Sequence, residues 1–196
     1  MPPRRLAEYA KCLGRVLGEA FITGPGSTWA RESHLGARFA NAISAQLVCL
    51  QERPDLILVR ADGVRQAYEL TEALEPNRRR NQEYREDRAK LSAGESAARL
   101  YVPDNIDSTK AALRNAAASK AKKAADYGIE PTGLVIYLNT DLHSFSECVS
   151  ALEASLHEET SSAAQKFSEI WVLWSGRLYL VWRSGKPEAL VPLVDV

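Results

Sequence analysis

Two acidic residues, Asp55 and Glu69, lie in neighbouring segments that together predict a β-hairpin. The apolar run 55–60 and the alternating run 64–72 are joined by an Asp-Gly pair, which is a strong hairpin signal. A three-residue loop with Gly63 in the left-handed conformation makes Asp55 and Glu69 direct cross-strand neighbours. A two-residue loop would instead place the two acids on opposite faces of the hairpin.

The expected arrangement of these two carboxylates is unfavourable by itself. Directly opposed residues have Cβ atoms about 4.5–5.5 Å apart, and like charges at that separation repel each other. We therefore expect a metal cation, an arginine or a lysine to relieve the repulsion between Asp55 and Glu69. In the structural alternative, Asp55 merely begins a strand, and Glu69 pairs with Arg60 or Arg65 across the hairpin.

A third acid, Glu32, falls on a helix predicted from about Trp29 towards Ala45. Its apolar stripe passes through Leu35, Gly36, Phe39 and Ile43. Glu32 precedes these positions at helical spacing, so the same geometry turns its carboxylate inward. We expect Glu32 to join the two hairpin acids.

The remaining pattern alternates helices and strands. We predict helices at 4–20, 76–91, 107–128 (capped by Asp107 or Ser108 and ending at Gly128) and 146–167, a strand at 134–138, a hairpin at 170–182, and either a helix end or a short strand at 46–50. This order indicates a single α/β domain over 1–196. Its mixed sheet is flanked by helices, with the core at about 29–138 and an additional helix and C-terminal strand hairpin at 146–183.

Pro54-Asp55, followed after 13 residues by Glu69-Leu70-Thr71, resembles the motif of the PD-(D/E)XK nuclease-like superfamily. The predicted element order from 29 to 138 is similar to the superfamily's αβββαβ core, the restriction-endonuclease-like fold. The resemblance covers the first two-thirds of the chain. Thr71 departs from the motif because it stands where the family has lysine.

The resemblance implies a divalent-metal-dependent nuclease that acts on DNA phosphodiesters. Asp55, Glu69 and Glu32 would be the ligands of Mg²⁺ or Mn²⁺, and these three residues with Thr71 would form the catalytic site. Carboxylate oxygens suit such hard cations. The alternative is a catalytically inactive nuclease-like fold that serves as a nucleic-acid- or protein-binding module, since Thr71 carries no positive charge.

Basic side chains after the hairpin are candidates for the missing positive charge. Arg78, Arg79, Arg80 and Lys90 belong to the predicted helix 76–91, from which they would reach back to the site and contact nucleic acid. The alternative for the three arginines is a solvated helix start, although cations there oppose the helix dipole. The alanine-rich helix carries five further basic residues, which we interpret mainly as a solvated surface: Lys110, Arg114, Lys120, Lys122 and Lys123.

The overall charge limits the class of partner. Lys plus Arg and Asp plus Glu number 25 each, so the molecule has no net field that would draw it onto nucleic acid. This balance counts against a non-specific DNA coat protein, but it is compatible with an enzyme that has a local basic groove.

The cysteines, the termini and the aromatic residues add further expectations. Cys12, Cys49 and Cys148 form no cluster, so we expect buried free thiols in a reducing compartment. The chain shows no signal peptide and no membrane span, which predicts a cytoplasmic protein. Four aromatic residues near the C-terminus are predicted to be core, with a homodimer surface or a protein partner as the alternative: Trp171, Trp174, Tyr179 and Trp182.

Overall fold

The computed structural model describes residues 1–9, 11–12, 26–74, 82, 85–86, 89–90, 92–96, 105–124, 133–140 and 146–193. We label the helices α1 (Gly26–Ala42), α2 (Ile106–Lys123), α3 (Ser146–Glu153) and α4 (Leu156–Thr160). The strands are β1 (Leu47–Leu50), β2 (Leu56–Val59), β3 (Arg65–Ala73), β4 (Gly133–Leu138), β5 (Glu169–Trp174), β6 (Arg177–Arg183) and β7 (Lys186–Pro187). Residues 3–9, 11–12, 82, 85–86, 89–90 and 92 are also helical, in agreement with the helices predicted at 4–20 and 76–91.

The seven strands form a single mixed sheet in which the spatial order follows the sequence order. β3, β4 and β5 pair in parallel, and the other neighbours pair antiparallel. The parallel centre is covered on both faces, which explains why β4 is one nearly continuous apolar run. The predicted α/β class with a mixed, helix-flanked sheet is thereby confirmed.

The two faces of the sheet support different helices. On one face, α1 contributes Leu35 and Phe39 to a core with Tyr68. On the other face, α2, α3 and α4 pack in a second core with residues such as Leu134 and Ile136. Because successive strand residues alternate between faces, Tyr68 points towards α1 and Glu69 points towards α2.

The predicted hairpin register between β2 and β3 is confirmed. Leu56 pairs with Tyr68, and the Arg60 N–H donates to the Val64 carbonyl at 3.0 Å across a three-residue loop. Gly63 has a φ of +79°, the left-handed conformation that this loop requires. Continuing the same register by one residue beyond Leu56 sets Asp55 opposite Glu69.

The structure revises two predicted helices, leaves one predicted helix end outside the described residues and selects one of the two alternatives predicted at 46–50. Asn105, and not Asp107 or Ser108, is the N-cap of α2, because its side-chain oxygen accepts the Ser108 N–H at 2.7 Å. The described part of α2 ends at Lys123, and the predicted end at Gly128 lies outside the described residues. The long helix predicted at 146–167 is divided into α3, α4 and a short 3-10 turn, and residues 47–50 form strand β1.

The C-terminal hairpin is confirmed, and its aromatic residues are largely core. Trp171, Trp174 and Tyr179 are buried. Trp182 is half-buried, and its Nε1 donates to Thr160 Oγ1 at 2.9 Å. A dimer surface on this hairpin stays a prediction.

The prediction of buried thiols was wrong for two of the three cysteines. Cys12 and Cys49 are exposed and Cys148 is half-buried, all as free thiols. Cys49 is exposed because it occupies an outward-facing position on β1, the first strand at the sheet edge. In the described part of the chain, no helix combines the length and apolar character that crossing a bilayer requires.

Candidate functional site

Asp55 and Glu69 meet at the end of the hairpin farthest from its loop. Asp55 directly precedes β2, and its Oδ2 accepts the backbone N–H of Leu70 at 2.8 Å. Glu69 lies within β3 and is only 2% exposed. The hairpin therefore fixes both carboxylates against the same short stretch of backbone.

Lys120 supplies the positive charge between these two acids. Its Nζ lies 2.7 Å from Glu69 Oε2 and 3.4 Å from Asp55 Oδ2. The Lys120 side chain is 17% exposed, so its assignment to a solvated surface was wrong. The expectation that a cation, an arginine or a lysine relieves the carboxylate repulsion is met by this lysine.

The position of Lys120 follows from the way α2 packs on the sheet. Leu113 and Ala117 lie on the buried face of α2 and are fully buried. Lys120 follows them on the same helix at a spacing of seven and three residues. Residues at that spacing lie on one helix face. This spacing was present in the sequence, but the spread of the five basic residues around the axis concealed it.

The structural alternative for Glu69 does not hold. Arg60 instead pairs with Glu169, with 3.7 Å between Arg60 Nη2 and Glu169 Oε1, and Arg65 is exposed. Glu169 also accepts hydrogen bonds at its Oε2 from Tyr68 Oη at 3.0 Å and from Trp171 Nε1 at 3.1 Å. Arg60 of the hairpin thus forms an ion pair with Glu169, whereas Glu69 forms an ion pair with Lys120.

One oxygen of Glu69 is left without a partner. Its Oε1 is buried and has no hydrogen-bond partner among the described residues. Burial raises the pKa of Glu69, Lys120 opposes that increase, and Asp55 adds to it. Because a buried acceptor without a donor costs about 1–3 kcal/mol, this oxygen is suited to a proton, a water molecule or a cation.

Glu32 lies near the other two acids, half-buried on α1. Burial raises its pKa to about 7, and the negative charge of Asp55 contributes to the increase, whereas Lys120 and Arg31 oppose it. The charges of Asp55 and Lys120 therefore reach Glu32, as the predicted inward orientation requires. At this pKa the Glu32 carboxyl exchanges its proton close to neutral pH.

A neighbouring acid on β3 is held away from this group. Glu72 Oε2 lies 3.4 Å from Arg31 Nη1, and Glu72 Oε1 accepts a hydrogen bond from Asn139 Nδ2 at 2.6 Å. Glu72 follows Glu69 by three residues on β3. Because successive strand residues point to opposite faces of the sheet, Glu72 points to the α1 face. These contacts fix Arg31 beside Glu32.

The other predicted site residues are distributed differently. Thr71 follows Glu69 by two residues on β3, so it shares the Glu69 face, and it is half-buried. Lys90 is helical and exposed. Arg78, Arg79 and Arg80 lie outside the described residues.

The carboxylates of the site are also potential metal ligands. Within the ranges that the structure describes, no group of three or more His, Cys, Asp or Glu side chains is arranged to hold a metal ion. Two carboxylates with one orphaned buried oxygen nevertheless offer the hard donors that Mg²⁺ takes together with water. Asp55 and Glu69 thus present donors of the type that such a cation takes, with Lys120 as the neighbouring positive charge.

Comparison with known proteins adds no relative to this geometry. No protein-family model matches the chain, and neither the curated proteins nor the solved structures gave a match. The contacts of Lys120 with Asp55 and Glu69 are therefore the main indication of function.

Proposed function

We propose that this protein is a divalent-metal-dependent phosphodiesterase that cleaves DNA, built on a restriction-endonuclease-like core. The observation that carries the proposal is the Lys120 ammonium, 2.7 Å from Glu69 and 3.4 Å from Asp55. The labelled elements follow the order α1-β1-β2-β3-α2-β4, with further helical residues between β3 and α2, and this order is compatible with the αβββαβ core that the Pro54-Asp55 and Glu69-Leu70-Thr71 motif implies.

Lys120 provides the charge that Thr71 lacks. The motif lysine of the family would stand at position 71, on the Glu69 face of β3. Lys120 enters the same face from α2 and reaches Glu69 directly. An ammonium there orients an attacking water and stabilises the negative charge that develops on the phosphate.

In this proposal the three carboxylates are the ligands of the metal ion. Asp55 and Glu69, assisted by Glu32, would hold Mg²⁺ or Mn²⁺, and the orphaned Glu69 Oε1 is the oxygen best placed for it. When bound, such a metal lowers the pKa of a coordinated water and stabilises the charged phosphate. Glu32, half-buried on α1, would complete this ligand set as the third carboxylate.

The nucleic-acid contacts remain as the sequence predicted them. Arg78, Arg79, Arg80 and Lys90 would hold the DNA backbone beside the carboxylates. The exposure of Lys90 is compatible with this role. Contacts of this kind position the backbone and carry no sequence information by themselves.

The test is cleavage of single-stranded, duplex and branched DNA with Mg²⁺ or Mn²⁺ by four variants. Asp55→Asn, Glu69→Gln and Lys120→Ala should each lower the rate by about a hundredfold or more, as loss of one charge-stabilising group does. The matched control is Lys123→Ala, which changes an exposed lysine of the same helix and should keep full activity. Circular dichroism checks that each variant folds.

Two results would reject the enzymatic proposal. One is wild-type protein that leaves all three DNA types intact with both metals. The other is cleavage that survives Asp55→Asn and Lys120→Ala, because a contaminating or different site would then be responsible.

A second candidate is a nuclease-like binding module without chemistry. It is favoured by the fact that the Lys120 ammonium directly contacts both carboxylates and offsets part of their negative charge. This candidate predicts no heat of Mn²⁺ binding in calorimetry and no change in melting temperature with Mn²⁺. The phosphodiesterase predicts Mn²⁺ binding that Asp55→Asn weakens.

A further inference from the structure

Two aromatic side chains form an exposed pair between the N-terminal helical segment (residues 3–9 and 11–12) and α1. The ring centroids of Tyr9 and Trp29 lie 5.5 Å apart with an angle of 89° between the ring planes. Tyr9 is 46% exposed and Trp29 is 41% exposed. Each ring therefore keeps a large apolar surface in contact with solvent after the pair has formed.

This aromatic pair borders the carboxylate group. Trp29 precedes Glu32 by three residues on α1, and side chains at that spacing are neighbours, with Cβ atoms about 5–6 Å apart. Glu32 in turn interacts electrostatically with Asp55 and Lys120. A molecule lying on Trp29 would thus extend towards the proposed reaction centre.

The same two helical segments carry an excess of positive charge. Their described residues contain five basic side chains against two acidic ones, an excess of three, whereas the whole chain is neutral: Arg4, Arg5, Lys11, Arg31 and Arg38 against Glu8 and Glu32. Arg5 and Lys11 are exposed, and Arg5 lies one helical turn from Tyr9. Aromatic rings among cations are the combination with which proteins bind single-stranded nucleic acid.

We propose that the Tyr9–Trp29 pair is a stacking surface for an unpaired base of the DNA substrate. The inference rests on the proposed function and names its substrate class, which is single-stranded DNA or DNA with unpaired nucleotides. A base inside a duplex is stacked on both sides and has no free face for an aromatic ring. The phosphates next to the stacked base lie beside Arg5 and Lys11, and the strand continues past Glu32 to Asp55 and Glu69.

The experiment measures binding without cleavage. A fluorescein-labelled oligothymidine and a blunt duplex of equal length are titrated in EDTA, with anisotropy and tryptophan fluorescence as readouts. Wild-type protein should prefer the single strand, and the stacked base should quench Trp29. Trp29→Ala should weaken single-strand binding about tenfold and leave duplex binding unchanged.

Conservative and control variants separate stacking from general damage. Trp29→Phe keeps an aromatic ring and should retain most of the affinity. Val64→Ala removes another exposed apolar side chain, at the loop end of the hairpin, and should bind as wild type does. If Trp29→Ala lowers the melting temperature, its weaker binding could reflect damage to the fold. The fluorescence quenching of the wild-type protein and the affinity of Trp29→Phe then decide whether Trp29 stacks on a base.

The inference is overturned by equal affinity for single strand and duplex, or by a Trp29→Ala variant that binds as Val64→Ala does. It is also overturned if sedimentation shows that Trp29→Ala dissociates a dimer while single-strand binding persists, since a second copy would then cover the pair. A different result would reject the proposed function while leaving this inference intact. A protein that binds single strands through Trp29 but never cleaves them keeps this inference and loses the phosphodiesterase.

Discussion

At the scale of single residues, the site places three acids around one lysine, and each acid is affected differently. Asp55 accepts a backbone N–H, Glu69 is buried against Lys120 with one oxygen that has no partner in the described part of the chain, and Glu32 is half-buried. A buried charge is tolerated when its partner stays in place and is costly when that partner is removed. Lys120 is therefore the residue on which the ionisation of the group depends.

The raised pKa of Glu32 predicts a measurable dependence of stability on pH. The pKa is about 7 in the folded protein against an ordinary value of 4.5, so between these values the folded state holds more protons than the unfolded state. The free energy of unfolding should therefore fall as pH rises from about 4.5 to about 7. The contribution is about 1–2 kcal/mol once partial exposure is taken into account.

Urea unfolding of wild type and Glu32→Gln across pH 4–8, in EDTA, checks this prediction. Glu32→Gln should lack the decrease, so that its stability relative to wild type rises over this range. Glu8→Gln changes an exposed glutamate beside Arg4 and should follow wild type at every pH. A constant difference between Glu32→Gln and wild type would show that Glu32 does not titrate as described.

The sequence allowed Asp55 and Glu69 to be paired but did not reveal Lys120. The hairpin register depends on a local turn, where an Asp-Gly pair and a left-handed Gly63 determine which residues face each other. Lys120 reaches the site only because α2 packs on one face of the sheet, and a contact that distant in sequence leaves no local signal. Asn105 was missed for a local reason, since neighbouring Asp107 and Ser108 are equally good caps by type.

At the scale of the elements, the site depends on the close contact between β3 and β4. Gly133 begins β4 and pairs with Tyr68 on β3. A Cβ atom added at Gly133 would overlap Cδ1 and Cε1 of the Tyr68 ring. The ring of Tyr68 is fully buried and hydrogen-bonded to Glu169, so it has little freedom to move aside.

Gly133→Ala should therefore destabilise the protein by about 2 kcal/mol or more, in the upper part of the range for an overpacked core. Gly36→Ala is the control, because its added Cβ meets the ends of flexible leucine side chains at 3.1 Å and 3.4 Å. Since alanine also favours the α1 helix, the control should be close to neutral. Equal melting temperatures for the two variants would contradict the close contact.

At the scale of the whole molecule, the balance of charge conceals an uneven distribution. Lys plus Arg equals Asp plus Glu, yet the two helical segments around Tyr9 and Trp29 carry an excess of three positive charges. The remainder of the chain carries the compensating excess of three negative charges, so it cannot attract DNA over a distance. Binding should therefore rest on a few local phosphate contacts together with base stacking.

This distribution predicts a shallow salt dependence. For single-stranded DNA, each neutralised phosphate contributes about −0.7 to the slope of log affinity against log salt, so three contacts at these two helices give a slope of about −2, which phosphate contacts of Arg78–Arg80 and Lys90 would steepen. Arg5→Ala should reduce the steepness of the slope by about 0.7. Lys123→Ala changes an exposed lysine on α2, outside the two helical segments, and should leave the slope unchanged. Anisotropy titrations between 50 and about 300 mM KCl measure the slope. A slope near zero would show that these side chains neutralise no phosphate. A slope steeper than about −4 would show that the main contacts lie on a surface beyond these two helices, with Arg78–Arg80 as the first candidate.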